Sequence, residues 1–267
     1  MAIVRKSPDE IEAIAASGRI LARCHRLLLG KARPGVTTGE LDDAAEKFIR
    51  SQGAVPSFKG YRGFPGSICA SPNSMVVHGI PGSYALQRGD VLCVDIGVTL
   101  DGWVSDAAVT LPVGQITPIA RNLLDTTRAS LFDGLEQARP GNRLGDVSHA
   151  IQARVEGDGF SIIRSLVGHG VGRDMHEDPQ IPNFGRPGTG PELEEGMVLA
   201  IEPMVNAGGH AVRMGSDGWA VYAEDGSLAS HFEHTVAVTA DGPRILTPWH
   251  EEEGFSAQPP PRAAAQA

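Results

Sequence analysis

Two aspartates stand eleven residues apart, Asp95 and Asp106, in GDVLCVDIGVTLDGWVSDAAVTL (residues 89–111), a stretch otherwise composed like buried β-structure. Two β-rich runs flank Asp101-Gly102, a strong hairpin turn signal. Side chains alternate with period two along a strand, so Val91, Cys93, Asp95 and Gly97 share one face, and Leu92, Val94, Ile96 and Val98 the other. A two-residue loop, at Leu100-Asp101 or Asp101-Gly102, brings Asp95 and Asp106 onto one face as direct or near neighbours; a three-residue loop separates them. Two unpaired carboxylates in an apolar sheet repel and cost roughly several kcal/mol each in desolvation, unless a cation lies between them. A surface hairpin would leave both in water, but the apolar residues on both faces argue against it.

The second half supplies three further patches: VGHGVGRDMHEDPQIPNFG around His169 and His176, AIEPMVNAG around Glu202, and HFEHTVAV around Glu233. Glu202 ends an apolar run and Glu233 begins one, and a buried acid is uncommon unless paired or metal-bound. Asp95, Asp106, Glu202 and Glu233 with one imidazole form an oxygen-rich set whose charge balances two divalent cations. It suits Mn, Fe, Co or Zn, and no HExxH is present to indicate a mononuclear zinc site. A buried ion-pair network would need bases, and none of the four immediate runs contains Arg or Lys. His25, His149, His210, His231, His234 and His250 lack such spacing and are expected at the surface or in local hydrogen bonds, His234 facing away from Glu233. Cys69 reads as a wall rather than a nucleophile, since it has no dedicated base.

These residues must be held by a chain of 267 residues with 41% hydrophobic content, enough to bury a large core. No run approaches a membrane span, and MAIVRKSPDE lacks an apolar signal core, so a cytoplasmic location is expected. Three cysteines without CxxC spacing suggest neither a disulfide framework nor a structural zinc knuckle. A formal charge of −9 works against broad nucleic-acid or anionic-membrane binding.

Ser7-Pro8-Asp9-Glu10 opens a first helix, expected to run to about Gly30, with a capping box and proline at its first position. A second begins after Thr37 or Thr38, where Thr37 and Glu40 repeat the box, and stops at Gly53. Thr117-Pro118 starts a third, running towards Ala138, and a fourth covers roughly Gly145 to Glu156. Strands follow around Ser161–Leu166, Met197–Val205, Trp219–Ala223 and Phe232–Thr239. The Pro/Ala-rich residues 250–267 read as a disordered tail after one catalytic domain, 1–249, with halves of about 1–115 and 116–249.

The halves resemble each other. ARPGVTTGELDDAAEKFIRSQG from Ala32 aligns without gaps with ARPGNRLGDVSHAIQARVEGDG from Ala138, an offset of 106, and GDVLCVD from Gly89 with GMVLAIE from Gly196, an offset of 107. Two matches in order at nearly one offset indicate a duplication, which makes Asp95 and Glu202 counterparts.

GHGVGRDMHEDP, IEPMVNAG and FEHTVAV, together with VVHGIPG and the Asp95–Asp106 spacing, resemble the type I methionine aminopeptidases, from the first helix to about Trp249. The resemblance implies the α+β pita-bread fold: two pseudo-symmetric halves with a central antiparallel sheet region flanked by helices. It implies two divalent metal ions per chain (Co, Mn, Fe or Zn), Asp95 binding one, His169 and Glu202 the other, and Asp106 and Glu233 bridging. Glu202 is then the proton shuttle, and His78 and His176 the catalytic and substrate-binding imidazoles. Tyr61, Phe64, Cys69, Met175 and Trp219 fall where the family lines its methionine pocket; Met175 replaces a frequent aromatic, and Phe58 stands where smaller residues are known. The implied activity is removal of the initiator methionine from nascent chains with a small second residue, by a monomer that associates transiently with the ribosome. The alternatives are a proline-selective peptidase of the same fold, such as prolidase or aminopeptidase P, and a non-catalytic binding protein, which would have lost ligands that are all present here.

Overall fold

A computed structural model describes residues 3–255. Four helices carry the apolar faces that the sheets need: α1 (Pro8–Lys31), α2 (Thr38–Ser51), α3 (Pro118–Leu135) and α4 (Leu144–Gly157). The first two start at the expected capping boxes. Ser7 N donates to Glu10 Oε2 at 2.8 Å and Thr37 N to Glu40 Oε2 at 2.7 Å, which satisfies backbone N–H groups that have no partner inside a helix. Thr117 caps α3, its Oγ1 accepting from Ala120 N at 3.2 Å.

The central hairpin pairs Val91–Leu100 with Trp103–Pro112, Leu100 opposite Trp103, so the loop is Asp101-Gly102. Both loop residues have positive φ, 50° and 76°, as the tight turn that matches strand twist requires. This register sets Asp106 opposite Gly97 and Asp95 opposite Ala108. The two aspartates are therefore diagonal neighbours on one face, as the two-residue reading required. Val55–Pro56 and Cys69–Pro72 flank the Asp95 strand, Cys69 lying opposite Asp95. Helix α1 packs on the hairpin; Ser17 Oγ, buried between them, donates to Val98 O at 2.7 Å and lies 2.8 Å from Ser105 Oγ.

A second antiparallel sheet runs in the order Gly242–Ile245, His234–Thr239, Val198–Ile201, Val167–Gly170, Glu177–Pro182. The single strand expected over Met197–Val205 is broken into Val198–Ile201 and Met204–Asn206. Pro203 is the reason, because it has no N–H to give the ladder. The facing run breaks in step: His234 pairs with Ile201 in this sheet, whereas His231 pairs with Met204 in a separate sheet. Glu202 and Glu233 thus both stand at the gap where two paired runs pass from one sheet to another. The region expected as Ser161–Leu166 likewise shortens to Ser161–Ile162, and a further strand, Val167–Gly170, carries His169.

Several local features recur at the offset of the repeat. Helices α2 and α4 are both 14 residues long, and the bridge Thr37↔Ala85 recurs as Arg143↔Glu192. Gly53 and Gly159 close the two helices with φ of 75° and 83°, and Gly89 and Gly196 precede the strands that lead to Asp95 and Glu202, with φ of 101° and 90°. Asp95 and Glu202 each lie six residues past the second pair of glycines.

The expected tail boundary at residue 250 is too early. Trp249–Glu251 forms a 3₁₀ turn, and Phe255 packs on Trp249 at 5.5 Å between ring centroids, burying apolar surface that composition alone did not place. Residues 256–267 lie outside the described residues.

Gly18 tests how α1 is seated. A Cβ there would lie 2.0 Å from the Leu246 carbonyl oxygen, a backbone atom that cannot swing aside. Gly18→Ala is expected to destabilise by about 1–3 kcal/mol, as overpacking does, seen as a lowered thermal midpoint with secondary structure unchanged below it.

Candidate metal centre and adjoining cavity

A cavity of about 210 Å³ opens between the halves, and Asp95, Asp106, His169, Glu202 and Glu233 all line it. Asp95 and Asp106 are buried on the hairpin, 8% and 4% exposed. The backbone of Asp106 is fixed across the molecule, its N donating to Thr235 Oγ1 at 3.0 Å and its O accepting from that hydroxyl at 2.7 Å. Glu233 N donates to Ala108 O at 2.9 Å, and its own carbonyl accepts from Trp249 Nε1 at 2.8 Å. Asn183 Nδ2 donates to Glu202 O at 2.9 Å, holding the residue at the strand break. The side chains, in contrast, have few partners. Asp95 Oδ1, Asp106 Oδ1 and Glu233 Oε1 are buried without a hydrogen bond, an arrangement an apolar interior penalises.

His169 Nε2 lies 3.6 Å from Glu202 Oε1 and 3.9 Å from Asp106 Oδ2. Its Nδ1 donates to Gly170 O at 2.9 Å, which leaves the lone pair on Nε2, facing the carboxylates. Burial holds His169 near 4, so the ring is neutral. The same desolvation pushes Asp95 up to about 7, with His231 pulling down and Glu202 pushing further, and carries Asp106, Glu202 and Glu233 well above the usual carboxylate range. Among the described residues, no Lys or Arg forms an ion pair with any of the four. Four acids, neutral imidazole nitrogen and three orphaned oxygens around one space form a donor set that fits divalent cations of the Mn, Fe, Co and Zn kind. Asp106, His169 and Glu233 present ligand atoms close enough to share an ion, as do Glu202, His231 and Glu233.

One of these residues corrects the sequence reading. His231 was expected at the surface or in a local hydrogen bond, yet it is buried, lines the cavity, and points Nε2 at Glu202 and Glu233. The signal was present: His231 and Glu233 are two apart in an extended run and share a face. The other dismissed histidines stay away from the cavity. His234 turns to the opposite side, 3.1 Å from Thr247 Oγ1 and stacked on Trp249, and His25 Nε2 bonds to Ala107 O at 3.0 Å.

His78 and His176 stand at the open side of the same cavity. Tyr61 Oη lies 2.9 Å from His176 Nδ1, and the His176 ring sits 4.2 Å from that of His169. Phe64 and Trp219 meet edge to face at 5.1 Å and form an apolar wall with Tyr61, Phe58 and Cys69. Burial and the neighbouring aspartates raise the Cys69 thiol far above its usual range, so it is inert as a nucleophile. Met175, expected in this wall, is buried in the same apolar cluster as Phe58, Phe64 and Cys69; its methyl carbon and the Phe58 ring edge fill the space over Gly97, where a Cβ would come within 2.8 Å of both. Arg62, Val77, Leu166, Val167 and Met204 complete the lining.

The chain matches the model of metallopeptidase family M24 over residues 12–240. It is 53% identical over 245 residues to methionine aminopeptidase 1 of Bacillus subtilis, covering 92% of this chain and 99% of that protein. Among solved structures it is similar to the methionine aminopeptidase of Thermotoga maritima, at TM-score 0.91 and 44% identity, covering 92% of this chain and 99% of the other. It shares its fold with the prolidase of Pyrococcus furiosus, at TM-score 0.75 and 24% identity, covering 91% of this chain and 65% of that one.

The shifted groups give the metal-free protein a characteristic pH dependence. Acids whose pKa is raised on folding bind more protons folded than unfolded, so stability falls as pH rises between the two values. The buried histidines, lowered to about 4 from 6.5, act in the opposite direction, but only below about pH 6.5. From about pH 6.5 to 8 the carboxylates act alone. The thermal midpoint of metal-free protein is expected to fall across that interval, and saturating Mn should raise it and abolish the slope; calorimetry of both forms at several pH values measures this.

Proposed function

The chain belongs to metallopeptidase family M24 and, within it, to the methionine aminopeptidases, and from that membership we propose that it removes the N-terminal methionine of peptides and nascent chains whose second residue is small. The observation that carries this reading is the cluster of buried carboxylates that, among the described residues, have no Lys or Arg ion pair and open onto an aromatic-walled cavity. Asp95 would hold one metal position, His169 and Glu202 the other, with Asp106 and Glu233 bridging. Divalent cations bound there would supply Lewis acidity towards the scissile carbonyl and would acidify water near neutral pH.

The chain's own groups do the rest. Glu202, the acid with imidazoles beside both its oxygens, takes up the proton released when water attacks and returns it to the departing amine nitrogen. His176 has Nδ1 engaged by Tyr61, which leaves Nε2 to donate to the carbonyl oxygen as negative charge develops. His78 is held in a left-handed conformation, φ 59°, that few side chains adopt, and contacts the amide nitrogen of the scissile bond. Tyr61, Phe64, Cys69 and Trp219 enclose the methionine side chain, whose flexible thioether suits an aromatic wall. Nascent chains place this activity in the cytoplasm. A proline-selective activity is not favoured, because the likeness to prolidase carries the fold alone.

Protein reconstituted with Mn, Fe or Co is expected to cleave Met-Ala-Ser, to leave Ala-Pro intact, and to lose activity on chelation. Cleavage of Ala-Pro without Met-Ala-Ser would reverse the assignment. His169→Ala should lose metal, whereas His176→Ala should keep it and lower kcat by roughly 10²-fold or more; metal counting beside steady-state kinetics separates the two roles.

A further inference from the structure

We propose that His231 is itself a metal ligand, supplying the Glu202–Glu233 side of the cavity with the nitrogen donor that His169 supplies on the Asp106 side. The inference rests on the metal-site reading above and adds a sixth donor to it.

His231 ends the strand Ala229–His231 and is 1% exposed. Thr110 fixes its backbone on both sides, Oγ1 accepting from His231 N at 2.9 Å and donating to His231 O at 2.8 Å. The hairpin that carries the aspartates therefore also sets the position of this imidazole. Its Nε2 is buried without a hydrogen bond, although it lies 3.5 Å from Glu202 Oε2 and 3.9 Å from Glu233 Oε2. An N–H aimed at carboxylates closes to about 2.7–2.9 Å. Two donors that each bind one cation at about 2.1 Å instead stand roughly 3.0–3.9 Å apart. The spacing is that of co-ligands, and it repeats the 3.6 and 3.9 Å at which His169 Nε2 stands from Glu202 and Asp106.

The far nitrogen of each ring supports the same assignment. Nδ1 of His169 donates to a carbonyl, and Nδ1 of His231 faces Cys93 Sγ at 3.7 Å, a contact in which either atom can carry the proton. For His169 this leaves the free lone pair on Nε2, and the His231 tautomer with its proton on Nδ1 leaves Nε2 free in the same way. Glu202 is then flanked on its two oxygens by two imidazoles, His169 and His231. Two nitrogens select for Co, Fe or Zn over Mg and Ca, which prefer oxygen.

Wild-type protein loaded with two equivalents of Co(II) is expected to show two exchangeable imidazole N–H resonances with hyperfine shifts in its proton NMR spectrum, from the Nδ1 protons of His169 and His231. His231→Gln should lose one of them and bind one Co equivalent at least about tenfold more weakly by calorimetry, with the other equivalent unchanged. A single shifted resonance in the wild-type protein overturns the inference, as does unchanged affinity for both equivalents in His231→Gln. The wild-type count stands even if the variant fails to fold. Wild-type protein that binds no Co at all would instead remove the metal-site reading on which the inference rests.

Discussion

Buried carboxylates with no Lys or Arg partner among the described residues are the constraint on which this structure depends. Four carboxylates converge on one cavity, and the interior that encloses them penalises their charged forms. Two responses are open to such a cluster: take up protons, or take up cations. The rigid backbone bonds of Asp106 and Glu233 to the opposite sheet keep the oxygens converged in either state, so the cost of bringing like charges together is met by folding. Cation binding then relieves repulsion that the apolar core has already imposed.

The positions of these acids follow from interrupted rather than continuous sheet structure. The aspartates sit inside a regular hairpin, where alternation directs them to one face. The glutamates sit where the ladder fails at Pro203 and its partner run crosses to another sheet. A residue at such a gap is freed from the pleat and can turn its side chain into the space between the halves. The duplication supplies the frame, equivalent helices and glycines delivering Asp95 and Glu202 to opposite sides of that space, and the differences between the halves supply the asymmetry of a metal site and a substrate wall.

Much of this was legible from local signals. Capping boxes located the starts of α1 and α2, Asp101-Gly102 located the turn, and period-two alternation put Asp95 and Asp106 together. What escaped depends on contacts between distant segments. Met175 stands beside His176 in sequence but packs with Phe58 over Gly97. Phe255 belongs to the core because Trp249 offers it a ring. His231 was a different kind of miss: the alternation that set His234 aside also puts His231 beside Glu233, and weighing histidines only by motif concealed it.

The bond from the Trp249 indole to the Glu233 carbonyl also has a consequence in time. The ribosome delivers residues in order, and the site draws on positions from 95 to 233 with its rear support at 249. A half-made chain can form the Asp95–Asp106 hairpin and still lack Glu202 and Glu233. A copy still being made therefore holds an incomplete site until Glu233 has been added, and lacks its rear support until Trp249 follows.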